Sequence, residues 1–329
     1  MPESSELQSL RDSAVFIDGD GHDVLCATGN DRASFLHRIT SGKVAGIAPG
    51  QGGRTLLLDV RGRVLASLLA FVRGKSVRLI VPGGQGAEIA AGLSKYAIMD
   101  DFQVVAEAEL ASIAILGPSA AHALDAMGIA VPLTFLESPL FAHVDCASEA
   151  FGPVWVAHGR RCGMDGLCLV VSRAGRDEIV RALMAAGTPR LPPDIAEGAR
   201  IAALEPAPGK EITPERFPVE IGLGSAIDHG KGCYVGQETI VRMRDRGIIR
   251  KRLTLLRVSA AAMPSPGDKI AADGQPAAGV VTSSGRLDGA PPLALAILAN
   301  VVAVGASVTI GHEGMELPAE VAAESPPWG

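Results

Sequence analysis

Past about residue 246 this chain stops mixing helical and strand patterns and keeps only the second. "RKRLTLLRV", "KIAADGQPAAGVVTSS", "LALAILAN" and "ASVTIG" are short apolar runs separated by Gly, Pro and Asp turns. Runs of this length between turn formers build strands. No helical apolar spacing is sustained there. Such strands need closure or a second layer, so a small antiparallel barrel or sandwich is expected. The most apolar run, "PPLALAILANVVAVGASVTIG" at 291–311, approaches the length of a membrane span. Asn300, Gly305, Ser307 and Thr309 interrupt it, and no basic residues flank it. It reads as two buried strands around a turn near Asn300, not as a membrane helix.

Residues 14–190 carry both patterns. Asn30 or Asp31 can cap a helix bearing Phe35, Leu36 and Ile39, with Gly42 as its stop. Ile89, Leu93 and Ala97 share a face of a second helix. Ser119 can cap a third, and "RDEIVRALMAAG" is a fourth. Between them, "RTLLLDVRGRVLASLLAFV" reads as a hairpin turning at Arg61-Gly62. "SVRLIVP", "ASIAILG", "GPVWVAHG" and "LCLVV" read as strands. There is no strict parallel alternation, so the expected class is α+β. With 329 residues, 47% of them apolar, the chain can fill about two or three packed units. The expected division is 1–246 as two interleaved α+β subdomains and 247–329 as the barrel.

Charge narrows the partners. A net charge of −6 argues against general nucleic-acid binding, which needs a basic face. The five cysteines are scattered and odd in number, which points away from a disulfide framework and towards a reducing cytoplasm. The polar start "MPESSELQSLRDSAVF" has no basic leader with an apolar stretch behind it. Nothing demands more than a monomer.

The densest chemistry is "KGCYVGQE" at 231–238. A helix starting after Gly236 would place Glu238 in its first turn and Arg242 four residues on, the favourable order for an acid and a base. Thr239, Ile240 and Val241 fit a strand as well. If the helix forms, Cys233 lies just before its N-terminus, two residues from Lys231. Both neighbours favour a thiolate. Cys233 is then a candidate reactive thiol or weak metal ligand. Close packing at a junction between units is the other reading of the same residues. The basic series Arg242, Arg244, Arg246, Arg250, Lys251 and Arg252 is either a solvated face or a rim for an anionic ligand or RNA. The histidines form no metal or triad motif.

This motif, with Arg242, Gly247 and "RKRL" behind it, resembles the signature of the YgfZ-type folate-binding proteins, relatives of mitochondrial iron–sulfur assembly factors. That family is similar to the glycine cleavage T-protein, an aminomethyltransferase. "GNDRASFLHRITSGKV", "LLLDVRGRVLA", "ARIAALEPAPGKEI" and "FPVEIGL" extend the likeness over nearly the whole chain. The resemblance implies three subdomains around a central cavity that holds tetrahydrofolate or a one-carbon derivative, and a C-terminal barrel. It makes Cys233 the functional cysteine, and Lys231, Tyr234, Gln237 and Glu238 match the rest of the signature. Arg200 and Arg242 are the arginines expected to meet the folate carboxylates. It implies iron–sulfur client or assembly proteins as partners.

Two departures stand out. Where the T-protein branch has an acid two residues after the arginine of its Arg-x-Glu segment, this chain has Ala202 after Arg200; Glu205 is the nearby alternative. Thr40, Ser41 and Gly42 stand where Thr-Asn-Asp is usual. The first departure favours the YgfZ branch. A folate-dependent aminomethyl- or methyl-transferase is the runner-up, with Asp100, Asp101 and Glu220 as its available acids. A non-catalytic RNA- or protein-binding module is the third reading.

Overall fold

The computed structural model describes residues 5–19, 21–247, 249–287 and 289–322. The chain enters through α1 (Ser5–Asp12) and β1 (Val15–Asp18). It continues through β2 (His22–Thr28), α2 (Arg32–Ile39), β3 (Gln51–Leu58), β4 (Val64–Val72), β5 (Val77–Pro82), α3 (Gly86–Tyr96) and β6 (Gln103–Ala106). The strands β2 to β6 form an antiparallel sheet in the order β3-β4-β5-β2-β6. Then come β7 (Leu110–Leu116), α4 (Ala120–Asp125), β8 (His143–Ser148), β9 (Gly152–Arg161), β10 (Met164–Ser172) and α5 (Arg176–Ala185). This second group recruits β1 from the start of the chain, giving the sheet β1-β7-β10-β9-β8. The first sheet is therefore an insertion between β1 and β7 of the second.

Period-two alternation gives each sheet two faces. On the first, Leu68, Ala70 and Leu79 lie beneath Phe35 and Leu36 of α2 and Ile89 and Leu93 of α3. Its other face puts Val24, Phe71 and Ile80 against Trp155, Ala157 and Val170 of the second sheet. The second sheet buries Ile113, Ile115, Leu167 and Leu169 beneath Leu124 of α4 and Ile179 and Leu183 of α5.

α6 (Pro193–Ala202) and α7 (Gln237–Arg246) bracket a stretch made mostly of turns. Behind them β11 (Lys251–Val258), β12 (Lys269–Ala272), β13 (Gln275–Gly285), β14 (Leu293–Ala299), β15 (Ser307–His312) and β16 (Met315–Val321) close a barrel in the order β11-β14-β13-β12-β15-β16. Closure leaves no free edge. The apolar run at 291–311 is β14 and the start of β15, and the Asn300 amide ties the turn between them to the Ile249 carbonyl at 2.6 Å. Among the described residues no helix is long and apolar enough to cross a membrane.

One core cluster joins the first sheet, α6, α7 and the barrel. Leu56 and Leu58 of β3, Ile201 of α6, Tyr234, Ile240 of α7, and Leu253 and Leu255 of the barrel pack together. The stretch that carries the motif is thus a seam between units.

Candidate functional site

The motif is built on α7 and on the end of α2. Gly236 caps α7 with φ +82°, and a Cβ there would come within 2.5 Å of the Asp59 carbonyl oxygen at the tip of the β3–β4 hairpin. Only glycine fits both the dihedral and the contact. α7 is a helix, not a strand: Glu238 and Arg242 pair at 2.5 Å across one turn, and Ile240 turns inward. Gly247 ends it.

Lys231 clamps the end of α2. Its ammonium donates to the carbonyls of His37, Thr40 (2.5 Å) and Gly42 (2.8 Å), at and just beyond the end of α2. An ammonium has three N–H donors, and these are the three. A cation is also favourable at the carbonyl end of a helix. Burial pushes the ammonium down to about 8, partly opposed by Asp228. Lys231 also sits 5.2 Å from the centre of the Tyr234 ring.

The same junction uses the two residues that depart from the family pattern. Ser41 Oγ donates to the Ala226 carbonyl at 2.8 Å and accepts the Leu56 amide at 3.0 Å, while the Gly42 amide donates to Thr55 Oγ1 at 2.7 Å. The end of α2, β3 and the approach to the motif are stitched together there.

Cys233 is exposed on this pinned bend. Tyr234, next to it, is buried, and its hydroxyl has no hydrogen-bond partner among the described residues. Burial raises its pKa. Gln237 is half-buried. Glu238 and Arg242 are largely solvated, at 86% and 57% side-chain exposure. In the basic series, Arg244 pairs with Asp245 at 2.8 Å, and Arg252 binds the Val302 carbonyl at 2.7 Å, strapping β11 to the turn after β14.

Arg200 is buried among protein partners. Its guanidinium donates to both Glu197 oxygens (2.8 and 2.7 Å), the Glu205 carbonyl (2.5 Å), Glu211 Oε2 (3.1 Å) and Ser283 Oγ (2.8 Å). Those five bonds use all five of its N–H groups. Arg200 is thus a buried tie between α6 and the barrel. Glu211, fully buried, also accepts the Ser283 hydroxyl at 2.6 Å. Burial alone would raise the Glu197 carboxyl, but hydrogen bonds from Arg200 and Lys210 hold it at about 2.

Glu205, the alternative acid, is engaged as well: its carboxylate accepts the Cys162 amide at 2.6 Å. Cys162 is buried in the β9–β10 turn, and burial, reinforced by Glu205, pushes its thiol to about 12. Cys26, Cys146 and Cys168 are half-buried. Among the described residues no group of three or more His, Cys, Asp or Glu could hold a metal ion.

Arg54 is a residue the sequence reading passed over. It is half-buried on β3, and burial lowers its pKa against a pull from Glu205. Its one hydrogen bond among the described residues is a long 3.5 Å contact to Ser67 Oγ. Alternation along β3 could have placed it on the sheet's inner face, beside Leu69.

The family model for the GCVT N-terminal domain matches residues 3–231. The chain belongs to this family. The match ends on Lys231, before the rest of the motif and the barrel. The glycine cleavage system aminomethyltransferase T of Bartonella henselae has the same fold, with a TM-score of 0.85 at 20% identity over 98% of this chain and 88% of that one. A putative chloroplastic transferase of Arabidopsis thaliana is 26% identical over 96% of this chain and 72% of its own length. An aminomethyltransferase of Corynebacterium jeikeium is 27% identical over 98% of this chain and 89% of its own. The T-protein-like α+β fold with a C-terminal barrel, expected from the motif, is the observed one.

Proposed function

We propose that this chain is a tetrahydrofolate-binding accessory protein of the YgfZ type, serving the assembly or repair of iron–sulfur enzymes through Cys233. The observation that carries the reading is the exposure of Cys233 on a bend held by all three ammonium protons of Lys231. A thiol on a fixed, solvent-facing bend can reach a partner or a cluster; a packing residue would face inward. The fit to a reduced folate rests on Tyr234, whose buried hydroxyl lacks a partner among the described residues and can meet a polar ligand atom. Gln237 offers a second polar group beside it. The folate, when bound, supplies a one-carbon carrier.

The transferase reading is compatible with the family match and with the aminomethyltransferase relatives. It needs a free acid or base at the one-carbon centre. Asp100 pairs with Arg38 at 2.8 Å, Asp101 accepts the Asn30 amide at 2.9 Å, and Glu220 accepts the Phe217 amide at 3.1 Å. Each is occupied in local structure, and Ala202 replaces the carboxylate of the T-protein branch.

The test is complementation in a strain that lacks this protein. The wild type should restore iron–sulfur enzyme activity and Cys233→Ala should not. Full restoration by Cys233→Ala contradicts the proposed role of the thiol. Turnover of an aminomethyl donor with tetrahydrofolate by the purified chain would favour the transferase instead.

A further inference from the structure

A cleft of about 710 Å³ opens where the end of α6 meets the barrel. It follows from tight packing one turn earlier. Gly198 lets α6 lie directly on the exit of β13; a Cβ there would come within 2.1 Å of the Arg286 carbonyl oxygen. One turn on, the residue facing the cleft is Ala202, whose side chain is a single methyl. The volume suits a small-molecule site.

The described walls have two characters. Leu255, Pro292 and Leu293 are apolar, whereas Arg257 of β11 and Arg286, just past β13, are cationic. Register places both arginines at one end of the barrel. Arg257 pairs with Leu293, and Leu293 pairs with Gly285, the residue before Arg286. One strand lies between them, so their backbones stand roughly 10 Å apart. Arg257 is exposed and has no hydrogen bond or ion pair among the described residues. Arg286 uses one donor on the Ala261 carbonyl at 3.2 Å. Glu320, the cross-strand neighbour of Arg257, is the one acid among the described lining residues.

Two guanidinium groups across an apolar wall define a ligand chemistry. Each guanidinium fork can take a carboxylate in bidentate fashion, and the wall takes a hydrocarbon body. We propose that this cleft binds a small dicarboxylate with an apolar body, with Arg257 and Arg286 each receiving one carboxylate. The proposal does not rest on the Cys233 bend, and it stands whether the dicarboxylate belongs to a folate or is free. Two sources share the chemistry: the aminobenzoylglutamate end of a folate, and a free aromatic dicarboxylic acid.

The full chain, as wild type, Arg257→Gln and Arg286→Gln, is titrated calorimetrically with p-aminobenzoylglutamate and separately with tetrahydrofolate. The wild type should bind p-aminobenzoylglutamate, and Arg257→Gln should weaken it by roughly tenfold or more. The neutral diamide of the probe should not bind. The Arg257 side chain has no partner among the described residues, so its variant should melt at the wild-type temperature; Arg286→Gln is the supporting variant. A parallel loss of tetrahydrofolate affinity makes folate the source, and unchanged tetrahydrofolate affinity makes it a free dicarboxylate. Retained p-aminobenzoylglutamate binding with no tetrahydrofolate binding removes the folate reading and leaves this one. No binding of p-aminobenzoylglutamate by the wild type, or equal affinity in Arg257→Gln, overturns the proposal.

Discussion

Lys231 and Arg200 are both cations whose every donor is bonded inside the protein, and each shows how a signature residue can serve architecture. Replacing Lys231 by Met leaves the His37, Thr40 and Gly42 carbonyls without their donor. Lys231→Met should lower unfolding free energy by about 1–3 kcal/mol in urea melts; unchanged stability would mean that the clamp contributes nothing. Glu197 gives a pH prediction. Its folded pKa of about 2 is below the ordinary 4.5. Its stabilising share is therefore complete above the unfolded value and is lost as pH falls from about 4.5 to about 2. Glu197→Gln should be less acid-sensitive than the wild type across that window, and parallel acid melts of the two would contradict the assignment. The Glu238–Arg242 pair was readable because four residues on a helix are neighbours in space. The partners of Lys231 and Arg200 were not, because Lys231 reaches back 194 residues to His37 and Arg200 reaches 83 ahead to Ser283.

At the level of elements, most strands and their turns were legible from alternation and punctuation, but β1, β2, β6, β8 and the last barrel strand, β16, were not read. α7 stood between helix and strand on its β-branched residues. Packing decided it, since a helix buries Ile240 while Gly236 clears the hairpin tip. Gly236→Ala forces both a left-handed dihedral on alanine and a clash with the Asp59 carbonyl, so it should cost at least about 2 kcal/mol and raise protease sensitivity near residue 236. Wild-type stability and cleavage in that variant would mean the bend is not fixed as described. α6 was not read as a helix. Gly198, Ala199 and Ala202 stand beside the buried Arg200 and Ile201 and leave no clear apolar spacing, and Gly198, a poor helix former, is there because the exit of a barrel strand touches it. That requirement comes from a partner some 90 residues downstream, at Arg286, and no local pattern carries it.

Across the whole molecule, the interleaving of the two sheets explains why the seam matters. β1 belongs to the second sheet, so the first unit is held at both ends, and the cluster around Tyr234 fastens it to α6 and the barrel. A ligand gripped at that seam would report on all three parts together. The likeness of the octapeptide to its family foretold the fold but could not distinguish a cofactor contact from a clamp. The account turns on the binding of a reduced folate, and calorimetric titration of the intact chain with tetrahydrofolate tests it most directly. Saturable binding is predicted, unchanged in Cys233→Ala and weakened in Tyr234→Phe, which lacks the buried hydroxyl. No heat of binding at millimolar ligand, with the protein folded, would contradict it.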